Sequence, residues 1–531
     1  MKSRSASVKE ILLRYPHLSL FLGSLLFTVF IFISNCLFTA SHRDFFPGDN
    51  LQHLMTALKV YKGETNAFRN LISPGVYWIT AFACRLSASM NMMLFVQACF
   101  LFLCLYFAGA TVLKMTASSS AAQMTVWLTG CYPLLFGLSR MYMMELACAA
   151  AVVTFVWLLM RSNDLNHVYF SMFAGICLGY GSLTKESFLL YVFPAVLWQA
   201  YQILRNAKIN QNQLVGILVF ILFFLLSDHW LQSNLFHIIR HGITRITFEA
   251  NNKDLPFFSL KNVLFYAYAL SDFCLGWFFF AFFLFSLIVI SIKKNASHHE
   301  KLLIWMIFLP STLFSFFPWK LARYMTPVLP FIGMLTLCGL NRLKFKKVLY
   351  PFLFLFGLIQ FISLNITTMI PETFFIRTPL LGELSGLTPD RYREDFWITA
   401  SMKNNETGGK KALQIIREET KTEKGKIHIA HLLNLKSIHH DEVMHPLCSS
   451  MQYLNESAGY GYQIVHVVHK PANGSVQTYD HHFPVKINYF DYVIAYDNEF
   501  MDLNPEFALL TAFECTGYKR MLFIYKNRSL P

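Results

Sequence analysis

The sequence predicts an α-helical polytopic membrane protein of about eleven transmembrane helices followed by an extracytoplasmic α/β domain, on three observations. Only 14% of the 531 residues are charged and 55% are hydrophobic, against roughly a quarter charged in an ordinary soluble domain. Apolar stretches of about 18 residues or more recur between Leu18 and Ile366, each long enough to cross a bilayer. From Thr367 to Pro531, 17 Lys or Arg stand against 19 Asp or Glu, so the net charge of +14 arises from the 28 basic and 12 acidic residues ahead of Thr367. Short cytoplasmic loops between apolar helices collect such a basic excess. The charge therefore needs no nucleic-acid partner, and the apolar content excludes a single soluble domain and a disordered chain.

The first span is Leu18 to Leu37, behind Lys2, Arg4, Lys9 and Arg14. It resembles a signal peptide, but it is long enough to span and lacks a small-residue cleavage site, so it reads as a retained helix. Further spans are expected near 92–113, 117–137, 146–160, 169–183, 187–204, 214–233, 272–292, 302–318, 325–340 and 348–366. With the N-terminus inside, the even-numbered connections must also lie inside and carry the basic residues. Lys114, Arg161, Arg205 with Lys208, Lys293 with Lys294 and Lys301, and Arg342, Lys344, Lys346 and Lys347 all fall there. An odd number of spans then puts the tail outside. Residues 1–366 form the membrane domain on this reading, and 367–531 the second domain.

Two outside segments are too long for simple turns, Ser41 to Asn91 and Gln232 to about Ser271. In the first, Leu51, Leu54, Met55, Leu58 and Val60 have a helical period that fits a helix lying on the membrane surface. In the tail, Lys410 to Glu419 reads as an amphipathic helix, and Ile427 to Ala430, Tyr492 to Tyr496 and Met521 to Tyr525 as strands. Nine of the 11 cysteines are scattered through apolar runs as small hydrophobes. The other two, Cys448 and Cys515, could form a disulfide if the tail faces an oxidising compartment. His439-His440 and His481-His482 read as surface residues, and the sequons at Asn405, Asn455 and Asn473 matter only in a eukaryote.

Charges next to a bilayer are costly, so those outside the basic inner loops are informative. They are Asp44, Asp49 and Arg69 in the first outside loop, Arg140 and Glu145 after span 3, Lys185 and Glu186 after span 5, and Lys320 and Arg323 after span 9. The last three loops are short, which holds their charges at headgroup level, where a lipid phosphate also sits. The bland readings are definite too. Lys320 and Arg323 could simply snorkel, and Asp49, in Pro47-Gly48-Asp49-Asn50, could be only a helix cap. Glu145 is harder to dismiss, because a carboxylate beside the apolar run from Leu146 needs a basic partner.

Several motifs occur in order. They are an acid before an amphipathic helix, Tyr77-Trp78 after a proline, Arg140-Met141-Tyr142-Met143-Met144-Glu145, Leu183-Thr184-Lys185, and Lys320-Leu321-Ala322-Arg323-Tyr324 with Pro327 and Pro330. Together they resemble the integral-membrane glycosyltransferases of the GT-C class, in particular the bacterial protein O-mannosyltransferase-like and lipid A aminoarabinose transferase-like branch. The resemblance implies a transferase in the bacterial inner membrane. It would move a hexosyl or pentosyl group, with inversion, from a polyprenyl-phosphate-linked sugar donor to a lipid, glycan or protein acceptor on the outer face. It makes Asp49 the candidate base and Glu145 its assistant, and it assigns Lys185, Lys320 and Arg323 to the lipid phosphate. Arg69, Arg140, Tyr142 and Tyr324 complete the candidate substrate-binding set. Asn50 stands where many relatives carry a second acid, and Arg69, five residues ahead of Pro74, is the candidate substitute for a lysine that the aminoarabinose branch has before the proline.

The chemistry fits these residue types. Transfer from a sugar phosphate needs a base for the acceptor hydroxyl and cations for the leaving phosphate. Carboxylates with Lys and Arg supply both, so no metal or cofactor is assigned. A transporter or flippase of lipid-linked sugars is the alternative, but it would favour internal repeats, and none is found.

Overall fold

The computed structural model describes residues 15–41, 48–63, 73–87, 89–205, 209–227, 260–292, 296–316, 321–365, 409–420, 427–434, 463–470, 475–478, 484–485, 490–496, 507–515 and 520–528. The chain packs as two units. One comprises Met1–Cys36, Gly63–Arg85 and Met90–Ala400, the other Leu37–Lys62, Leu86–Ser89 and Ser401–Pro531.

The first unit is helical. In chain order it contains most of α1 (Pro16–Ser41), then α3 (Gly75–Cys84), α4 (Met90–Thr116), α5 (Ser119–Gly130), α6 (Pro133–Ser139), α7 (Met144–Ser162), α8 (Val168–Thr184), α9 (Phe188–Arg205), α10 (Gln211–Ser227), α11 (Leu260–Ala269), α12 (Trp277–Ile292), α13 (His298–Phe316), α14 (Leu329–Leu340) and α15 (Lys346–Asn365). Helix α2 (Gly48–Tyr61) belongs to the second unit. Pro16–Leu37, Met90–Thr116, Met144–Ser162 and Ala322–Leu340 are long and apolar enough to cross a membrane. The chain is a multi-pass membrane protein.

Three ranges expected as single helices are interrupted, each for a local reason. Pro133 disfavours helical geometry at the preceding residue, and Tyr132 is extended (φ −65°, ψ 126°), which separates α5 from α6. Ahead of α12 a π-helical turn, Leu270–Cys274, is followed by Gly276 at φ 78°, a conformation suited to glycine. Ahead of α14 the chain forms a 3-10 helix, Ala322–Val328, containing Pro327.

Helix α7 is buried along most of its length and rich in alanine (Ala147, Ala149, Ala150, Ala151), which lets neighbouring helices approach. It ends in three left-handed residues, Asn163, Asp164 and Leu165 (φ 49°, 55° and 64°), a turn that Asn and Asp tolerate. Gly216 of α10 packs against this turn, and a Cβ there would lie 1.8 Å from the Leu165 carbonyl oxygen. Two of the basic residues expected inside, Lys114 and Arg342, make polar contacts among the described residues. Lys114 donates to the Met160 carbonyl. Ser297 and Glu300 form a capping box on α13, the Glu300 carboxylate accepting from the Ser297 N–H at 2.7 Å and the Ser297 hydroxyl from the Glu300 N–H at 3.2 Å. Glu300 also pairs with Arg342 at 2.5 Å.

In the second unit, α2 buries Leu54, Ala57 and Leu58, in keeping with its helical period. Helix α16 (Gly409–Glu419) buries Ala412, Leu413 and Ile416. A seven-stranded sheet has the order β4-β3-β2-β1-β5-β7-β6. Its strands are β1 (His428–Asn434), β2 (Gln463–Lys470), β3 (Ser475–Thr478), β4 (Pro484–Val485), β5 (Tyr492–Tyr496), β6 (Phe507–Cys515) and β7 (Arg520–Asn527). β1 runs parallel to β2 and β5, and the other pairings are antiparallel. Cys448, the paired histidines His439-His440 and His481-His482, and the three sequons' asparagines lie outside the described residues.

Candidate active site

Glu145 occupies the first turn of α7, where a carboxylate is favoured by the helix dipole. The residue before the helix, Met143, is extended (φ −129°, ψ 152°). Its carbonyl accepts from the side-chain amide of Gln97 on α4, at 3.1 Å, which ties the start of α7 to a neighbouring helix. Glu145 is 3% exposed. A carboxylate so far out of water needs charge partners, and it has them.

Lys185 follows α8 directly, at the helix end that favours a cation. Its Nζ donates to Glu145 Oε1 at 2.7 Å and lies over the Tyr324 ring, 5.1 Å from the centroid. Arg323, in the 3-10 helix, brings Nε to 3.4 Å from the same carboxylate oxygen. Three elements remote in sequence thus converge, and one carboxylate with two cations leaves net positive charge. Burial pulls the Lys185 ammonium's pKa down, but the charge and hydrogen bond of Glu145 together with Tyr324 outweigh it, and the net shift is upward. The lysine accordingly stays charged throughout the neutral range, and its ion-pair contribution to stability is lost only as pH rises through that raised value.

Arg140 and Tyr142 flank the strand-like entry to α7 and are buried. The Arg140 guanidinium lies over Phe136, 5.4 Å from the ring centroid. The Tyr142 hydroxyl donates to Thr80 Oγ1 at 2.6 Å, and its ring lies 6.5 Å from that of Tyr77. Asn35 of α1 donates to Ser139 at 2.9 Å, beside Arg140 in the chain. Asp49 is the second residue of α2. Asp44, Arg69 and Lys320 lie outside the described residues. Thus the structure brings Glu145, Lys185, Arg323 and Tyr324 together.

Gln97, Thr80 and Tyr191 were not expected at the site. Tyr191 of α9 donates its hydroxyl to the Tyr324 carbonyl. In the sequence these are a polar or aromatic residue within an apolar run, with nothing to set them apart from packing residues.

The arrangement of the helices is that of the GT-C fold of integral-membrane proteins. Two solved structures of that fold resemble the chain over nearly its whole length. One is ArnT from Cupriavidus metallidurans bound to undecaprenyl phosphate, with 13% identity, a TM-score of 0.56, and 95% of this chain and 98% of that chain covered. The other is the same protein in the apo state, with 12% identity, a TM-score of 0.57, and coverage of 94% and 98%. At these identities the likeness is one of fold. No family model matches the sequence, and neither does any curated protein.

Proposed function

We propose that this protein is an inverting glycosyltransferase that moves a hexosyl or pentosyl group from a polyprenyl-phosphate donor to an acceptor on the outer face of the membrane. The observation that carries the reading is the buried Glu145 held by Lys185 and Arg323, in a fold shared with a protein solved with undecaprenyl phosphate bound. A cation pair at headgroup level suits the phosphate of a lipid-linked sugar, while the helices around it receive the prenyl chain. On this reading Lys185, Lys320 and Arg323 hold the phosphate, and Arg69, Arg140, Tyr142 and Tyr324 complete the substrate-binding set. Asp49 takes the proton of the acceptor hydroxyl. The acceptor oxygen bonds to the anomeric carbon as the bond from that carbon to the phosphate oxygen breaks, and the electron pair leaves on the phosphate, where the cations stabilise it. Glu145 orders the cations and assists the base.

The test is to compare the glycans and lipids of cells with and without the gene by mass spectrometry. A hexose or pentose missing from one acceptor supports the reading, and unchanged products remove it.

Part of the proposal is topological: eleven spans, a cytoplasmic N-terminus, and residues 367–531 forming an extracytoplasmic α/β domain. Reporter fusions at Lys347 and at Pro531 are expected to give cytoplasmic activity at the first and extracytoplasmic activity at the second. Cytoplasmic activity at both would put the outside acids and the tail on opposite faces.

Arg323→Lys checks the phosphate role. Hydrogen bonds between charged groups contribute about 1.5–3 kcal/mol, and the planar guanidinium fork differs in geometry from a lysine point charge. Donor affinity is therefore expected to fall about 10- to 100-fold, measured with purified protein. A residue that only snorkels would tolerate the change, so normal affinity would return Arg323 to that role.

A further inference from the structure

In a 3-10 helix the carbonyl of each residue accepts from the N–H three residues on. For Tyr324 that residue is Pro327, which has no N–H to give. The Tyr324 carbonyl instead receives the hydroxyl of Tyr191. One residue earlier, the Arg323 carbonyl accepts from the Thr326 hydroxyl at 2.6 Å. Side chains thus help hold the backbone of the segment that carries Arg323 and Tyr324.

Tyr191 is well placed to do this. It is 2% exposed, and its ring stacks on Phe314 of α13 with centroids 5.2 Å apart. Phe314 lies 5.6 Å from the Tyr324 ring, so the three aromatics form one block. Tyr191 sits in the first turn of α9, and the Phe188 N–H that opens this helix donates to the Lys185 carbonyl at 3.0 Å. A single hydroxyl therefore connects the segment bearing Lys185 to the segment bearing Arg323.

That connection has a purpose because the two cations repel each other. Their attraction to Glu145 draws them together, but that attraction weakens when an arriving anion competes for the same groups. A neutral hydrogen bond keeps its strength whichever anion is present.

We propose that Tyr191 is a positioning residue for the anion site, its hydroxyl replacing the backbone donor that Pro327 removes and so fixing the spacing of Lys185 and Arg323. The inference rests on the reading of this cation pair as the site of the donor phosphate.

The experiment measures binding of undecaprenyl phosphate and of undecaprenol to the purified full chain in detergent. Tyr191→Phe keeps the ring and its stacking and removes only the donor. It is expected to weaken undecaprenyl phosphate about ten-fold and to leave undecaprenol unchanged. Pro327→Ala restores an N–H to the Tyr324 carbonyl, so in that background Tyr191→Phe is expected to be nearly silent. This second comparison still decides the matter if Tyr191→Phe alone fails to fold. Unchanged phosphate binding in Tyr191→Phe, equal weakening toward both lipids, or a full loss persisting in the Pro327→Ala background would overturn the role of Tyr191 and leave the site reading standing. A wild-type protein that does not prefer undecaprenyl phosphate to undecaprenol would overturn the site reading and this inference with it.

Discussion

Asp49→Asn is expected to lower the rate of transfer by about 10²- to 10⁴-fold, the usual contribution of a positioned general base. Asp49 follows Pro47-Gly48 and is the second residue of α2. The structure thus places it not at the cap but inside the first turn, where a carboxylate complements the helix dipole by about 0.3–1 kcal/mol, a contribution that asparagine gives up. The substitution therefore separates the two roles. It preserves shape and hydrogen bonding, costs at most a small part of the stability, and removes the proton acceptor. The measurement is turnover in membranes where variant and wild type are equally abundant. Turnover near wild type would assign Asp49 to the helix terminus and leave Glu145 as the acid to test.

Glu145→Gln should produce two effects of opposite sign. Removing one partner of a buried ion pair typically costs about 3–5 kcal/mol, because the remaining charge has lost its compensation. Here the cost falls toward the lower end, since Lys185 and Arg323 keep 20% and 13% of their side-chain surface exposed and can draw in water. The unliganded protein should melt at a lower temperature. Its affinity for undecaprenyl phosphate should nevertheless rise, because the phosphate no longer competes with a carboxylate for the same cations. Thermal unfolding with and without the lipid measures both together. A variant that melts like wild type and binds the lipid no more tightly would mean that Glu145 neither stabilises nor competes for the cation pair.

Much of the helical architecture was legible in the sequence. The length of an apolar run and the charges at its ends are local properties, so helices occupy each range read as a span, as far as these are described. The amphipathic period of Leu51 to Val60 likewise marks α2. Helix α16 and strands β1, β5 and β7 coincide with the tail elements read from local pattern. Strands β2, β3, β4 and β6 did not stand out, because pairing across a sheet depends on neighbours more than on a strand's own residues. The breaks at Tyr132 and Gly276 were encoded in a proline and a glycine, but hydropathy averages over both.

The sequence by itself determined that Glu145 needs a basic partner, because a carboxylate at the head of an apolar helix cannot be left bare. Four candidates were available in Arg140, Lys185, Lys320 and Arg323. Only the tertiary structure decided that Lys185, 40 residues away, takes the 2.7 Å contact with Arg323 beside it. Only the tertiary structure, too, brought Tyr191 to a carbonyl 133 residues further on. The physical reason is the same for both. A local pattern shows that a buried polar group must be satisfied, but which partner satisfies it depends on how distant helices pack, and that is a property of the whole fold.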